Sequence, residues 1–100
     1  MTITINGAEI SLRYTMRTLD KAEAAVNSTD SAYGKMCAQV WAAALKAKPD
    51  LTLDAVMDRF DDDPEGLAAA IKHCQEDAGR INAAFVPLMP KENEILGQSK

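Results

Sequence analysis

The first dozen positions alternate. Ile3, Ile5, Ile10 and Leu12 fall on one side of an extended ribbon, with Thr2, Thr4, Glu9 and Ser11 on the other. A period of two marks a half-buried strand. Asn6-Gly7 separates the two runs, and such a pair supplies both positive-φ residues that a type I′ turn needs. Closing the turn there sets Ile5 opposite Ala8 and Ile3 opposite Ile10. Ala8 and Tyr14 then continue the apolar face, while Arg13 and Thr15 continue the polar one. The spacing predicts one hairpin over 2–15, and no later stretch reads as strand.

From Met16 the period lengthens to that of a helix. Met16, Leu19, Ala22 and Val26 predict a first helix over about 16–26, with Thr15 or Thr18 as its N-cap. The polar run Asn27–Ser31 breaks it, and Asp30 or Ser31 suits the cap of the next. Tyr33, Met36, Cys37, Val40, Trp41, Ala44 and Leu45 then recur at three- and four-residue steps, predicting a second helix over 31–47. It stops before Lys48-Pro49, because the residue ahead of a proline is pushed out of the α region. Thr52 caps a short third helix over 53–60 that carries Leu53, Val56, Met57 and Phe60. Asp63-Pro64-Glu65 combines an N-cap, an N1 proline and a first-turn acid, opening a fourth helix over 64–85. Its stripe runs Leu67, Ala70, Ile71, Cys74, Ala78, Ile81 and Phe85, with Gly79 as a soft point. Beyond it, Pro87, Pro90 and Gly97 remove any period, and 86–100 reads as a flexible tail.

The pattern predicts a mainly α domain over 1–85, α+β only in a minor part, with an N-terminal β-hairpin packed on a small bundle of about four helices. Its expected core is Ile3, Ile5, Ile10, Leu12, Val40, Trp41, Leu45 and Ile71. A hairpin alone is marginal in water, so its apolar face must lie on the helices. In 100 residues the formal net charge is −4 and the pI about 4.8. That balance disfavours nucleic acid, whose partners carry a basic footprint. No apolar run approaches the ~20 residues of a membrane span, and the N-terminus carries no signal-peptide pattern.

Candidate chemistry is sparse. The acidic run around Asp61-Asp62-Asp63 resembles a calcium loop for six positions, but Pro64 interrupts it and Lys72 stands where a bidentate glutamate is required. It reads as a solvated end of one helix and start of the next. His73 and Cys74 are adjacent, about 100° apart on a helix, and no second histidine exists to complete a zinc set. Cys37 lies on the apolar stripe beside Val40 and Trp41, where a thiol is inert and reduced. No glycine-rich loop follows a strand. No catalytic residue, metal or cofactor is expected, and the chain does not read as an enzyme.

Several of these segments together resemble a known family. The ribbon Ile3-Thr4-Ile5-Asn6-Gly7-Ala8-Glu9-Ile10-Ser11-Leu12-Arg13-Tyr14-Thr15 leads into a short helix. Val40-Trp41-Ala42-Ala43-Ala44-Leu45 follows, then Pro49-Asp50-Leu51-Thr52-Leu53-Asp54-Ala55-Val56 and an acidic stretch before the last helix. This order is similar to the tail assembly chaperones of long-tailed phages and prophages, over roughly residues 2–78.

The resemblance implies a non-catalytic protein of the bacterial host cytoplasm that binds the tape measure protein and keeps it soluble while tail tube protein assembles. It implies absence from the mature virion. The alternative is a minor structural or adaptor protein of the particle. Partner-facing residues expected on this reading are Glu9 and Arg13 on the hairpin, Met57 and Phe60 on the third helix, and Leu88 and Met89 in the tail. Free strand edges also leave room for a homo-oligomer.

Overall fold

The computed structural model describes residues 1–85 and is built from one hairpin and four helices. β1 (Thr2–Ile5) and β2 (Ala8–Ser11) pair antiparallel, with Ile3 facing Ile10 and Ile5 facing Ala8. Asn6 and Gly7 hold φ of 51° and 80°, the left-handed values of the turn that the Asn-Gly pair predicts. Ile3, Ile5, Ile10, Leu12 and Tyr14 are all buried. Ala8, expected on the same face, is exposed, although Ile5 opposite it is buried.

α1 (Met16–Asn27) starts at Thr15, and both candidate cap residues take part. Thr18 N–H donates to Thr15 Oγ1, and Thr15 N–H donates back to Thr18 Oγ1 at 2.7 Å, which makes a capping box from two threonines. Ser31 caps α2 (Ala32–Ala44) through Gly34 N–H. Gly34 is required by close approach: a Cβ there would lie 2.4 Å from Thr29 Cγ2, where the α1–α2 turn folds over it. α2 ends earlier than its pattern predicts. Its last carbonyls are taken in tighter bonds, from Leu45 N–H to Ala42 and from Ala47 N–H to Ala44, so 45–47 form turns.

α3 (Leu53–Phe60) begins at Thr52 as expected. α4 (Pro64–Phe85) begins at Asp63, whose carboxylate accepts from Gly66 N–H, and it runs unbroken through Gly79. No helix among the described residues is long and apolar enough to cross a membrane.

α2 is the axis of the molecule, with α1, α3, α4 and β2 all packed on it. Its sequence suggests a single apolar stripe, yet Ala38, Ala42 and Ala43 are as buried as Cys37, Val40 and Leu45. Alanine's small side chain lets neighbouring backbones approach from the sides that a one-stripe helix leaves to water. Met36, placed on the stripe by spacing, is 39% exposed instead. Trp41 and Ile71 lie at the margin of the core, half-buried against it. The Trp41 indole N–H donates to the Leu51 carbonyl at 2.7 Å, pinning the loop that leads into α3. A ring with one apolar body and one polar handle suits such a margin.

Candidate functional site

The chain between β2 and α1 decides where α4 lies. Arg13 N–H donates to the Ala43 carbonyl, and the Tyr14 hydroxyl donates to the Gln39 carbonyl at 2.8 Å, both on α2. On the other side, Tyr14 N–H donates to Asp77 Oδ2, and Arg80 donates both to Asp77 and to the Tyr14 carbonyl. His73 Nε2 lies 2.9 Å from the Leu12 carbonyl, an acceptor only, so the ring donates from that nitrogen. This strap joins α2 and α4 by hydrogen bonds that use the backbone of residues 12–14 and the Tyr14 hydroxyl.

The strap holds α4 against α2 but leaves α1 apart from α4. α1 and α4 both rest on α2, and a groove opens between them. Its floor is Ala22, Cys74 and Tyr14, all nearly inaccessible. Leu19 and Val26 of α1 and Ala78 of α4 line its walls, all only half-buried. The main cleft holds about 340 Å³. A second of about 210 Å³ adjoins it through Leu19, Glu23 and Asn82, and extends it to Met16 and Ile81. Met16 is 61% exposed there. The apolar stripe of α1 therefore buries Ala22 on α2 and presents the rest to the groove.

A separate apolar cleft of about 310 Å³ lies between the start of α2, the end of α3 and the start of α4, lined by Tyr33, Met36, Pro64 and Leu67 among others. The Tyr33 hydroxyl beside it donates to the Met57 carbonyl. Burial and the neighbouring Cys37 push that phenol up to about 12.

The residues expected to face a partner do not form one surface. Glu9 and Arg13 are exposed on the outward side of the hairpin. Met57 is half-buried against the core. Phe60 is a correction: it is 2% exposed and one of the largest fully enclosed side chains. The short α3 rests on both α2 and β1, so its last apolar turn faces inward rather than out. The Arg59 guanidinium covers the ring at 4.9 Å from its centre, donates from Nε to the Thr4 carbonyl of β1, and pairs with Asp63 at 3.0 Å. Leu88 and Met89 lie outside the described residues.

The groove residues Leu19, Val26 and Ala78 escape sequence reasoning. Each sits on an ordinary apolar stripe, and only the placement of α1 relative to α4 leaves them uncovered. The one hint is the stripe of α1 itself, which carries Glu23 and Asp20 close beside it.

The candidate chemical groups are kept apart. Cys37 and Cys74 are free and buried. Burial drives the Cys74 thiol up to about 11 and raises Cys37 as well. A neutral buried thiol is a poor nucleophile. Asp63 is spent on the cap of α4, where the Arg59 guanidinium and Gly66 N–H hold its carboxyl below the ordinary range. Among the described residues no three His, Cys, Asp or Glu side chains converge to suit a metal ion. The arrangement offers a concave apolar surface for binding. No family model, curated protein or solved structure matches the chain.

Proposed function

We propose that this chain is a tail assembly chaperone of a long-tailed phage or prophage. On this reading it holds the tape measure protein soluble in the host cytoplasm until tail tube protein assembles, performs no chemistry, and is left out of the mature virion. The resemblance of the hairpin, the Trp41 helix and the Thr52-capped helix start supports it. The observation that carries most weight is the open α1–α4 groove. A holder of aggregation-prone helices needs a helix-lined apolar surface that a competing assembly can reclaim. The chain's net charge of −4 helps keep it soluble while apolar residues such as Met16 stay uncovered.

Co-expression with a tape measure protein from the same phage or prophage genome is the direct test. A soluble complex of the two is expected. Equal aggregation of the tape measure protein with and without this chain overturns the proposal. Mass spectrometry of purified particles separates the chaperone from a minor structural or adaptor component, since the chaperone is expected to be missing.

A further inference from the structure

We infer that the α1–α4 groove takes an amphipathic helix whose apolar stripe is flanked by lysine or arginine. This rests on the holding function proposed above and names the site and the chemistry of the bound segment.

Shape points to a helix. α1 and α4 rest on a common support without closing on each other, so the space between them is that of a missing member of the bundle. The groove follows α1 from Met16 to Asn27, twelve residues in all. At 1.5 Å per residue that is about 18 Å, or some three turns of a bound helix. Leu19, Val26 and Ala78 supply the apolar walls, and the narrow floor at Ala22 admits a close approach.

Charge chooses the flanks. Asp20 and Glu23 stand on the α1 rim, both exposed and neither ion-paired among the described residues. Lys72 of α4 is exposed but lines neither part of the groove, and two other nearby cations are already engaged. Lys35 donates to the Val26 carbonyl at 2.8 Å, and Arg80 is held by Asp77 and the Tyr14 carbonyl. Lys21 and Arg17 line a different cleft, beside Leu45 and Lys46. The opposite rim, Gln75 and Asn82, is polar and neutral. A bound helix therefore meets uncompensated negative charge on one side only, which favours a cationic flank and fixes its orientation.

Two synthetic peptides of about 18 residues, long enough to populate helix unaided, test this with the full-length chain. Both carry the same Leu/Ala stripe, one flanked by Lys and the other by Glu. Titration calorimetry and amide chemical shifts are expected to show the Lys peptide binding, with shifts at Leu19, Val26 and Ala78 and affinity falling as salt rises. Asp20→Lys combined with Glu23→Lys, both at exposed sites, is expected to weaken the Lys peptide about fivefold to tenfold and to transfer the preference to the Glu peptide. Ala78→Trp is expected to block both peptides while leaving the melting temperature nearly unchanged.

Binding of neither peptide, or binding indifferent to the charge swap, overturns the inference. So does a groove already filled. Groove shifts on Leu88→Asp in the peptide-free chain would identify the chain's own tail as occupant, and a swap-sensitive dimer in sedimentation would identify a second copy. Failure of the groove is distinct from failure of the function. A soluble tape measure complex unaffected by the charge swap sinks the groove alone, whereas discriminating peptide binding with an aggregated tape measure protein sinks the holding function alone.

Discussion

The Tyr14 backbone N–H donates to Asp77 Oδ2 at 2.5 Å across 63 positions of sequence, and this contact ties the end of the hairpin to the second half of α4. Burial by itself would raise the Asp77 carboxyl. The Arg80 guanidinium and the Tyr14 N–H outweigh it and hold the group below the ordinary carboxylate range. A folded pKa below the unfolded one stabilises the protein fully above about pH 4 and loses that stabilisation as pH falls further. Asp77→Asn is expected to cost about 1–2 kcal/mol at neutral pH and to flatten the acid limb of a denaturation-against-pH curve. A variant with unchanged stability and an unchanged acid limb would remove Asp77 from the strap.

The buried thiols predict the alkaline limb. Burial drives Cys74 to about 11 and raises Cys37. Because the unfolded thiols ionise first, the contribution is complete below about pH 8.5 and declines as pH rises towards the folded value. At pH 8 a disulfide exchange reagent is expected to label neither cysteine in the native protein and both after unfolding. Prompt labelling of either one in the folded chain would contradict their burial.

Gly7 isolates a backbone effect. At φ 80° a Cβ would meet nothing within 4 Å, so packing is not at stake. Gly7→Ala is expected to cost about 1–2 kcal/mol from the left-handed conformation alone. Gly7→Asn should cost less, since asparagine tolerates that region. Equal losses for the two variants in urea denaturation would show that the cost is not conformational.

Phe60 and Arg59 separate packing from bonding at the end of α3. Phe60→Ala, at a fully enclosed ring, is expected to remove about 3–5 kcal/mol, enough to unfold a domain of this size at moderate temperature. Arg59→Lys keeps the charge but loses the planar fork that reaches Thr4, Asp63 and the Phe60 face together. A loss of about 1 kcal/mol is expected there. The emission of the single Trp41 reports both transitions.

Local structure was legible in the chain because it depends on neighbours in sequence. The Asn6-Gly7 turn, the inward face of Ile3, Ile5, Ile10 and Leu12, the caps at Thr52 and Asp63, a choice between two nearby residues for each of the caps at Thr15 and Ser31, and the type of every element follow from dihedral preference and periodicity. What periodicity cannot decide is which apolar stripe receives a partner. Phe60 and Leu19 look alike in sequence, each apolar at a helical spacing. Phe60 is enclosed because α3 rests on both α2 and β1, and Leu19 is left at a groove wall because α1 and α4 both pack on α2 with a cleft between them. The strap is made largely of backbone groups of residues 12–14, which carry no distinguishing side-chain signal. Burial of a given apolar residue is a property of helix placement, and long-range hydrogen bonds such as that of Tyr14 with Asp77 set that placement.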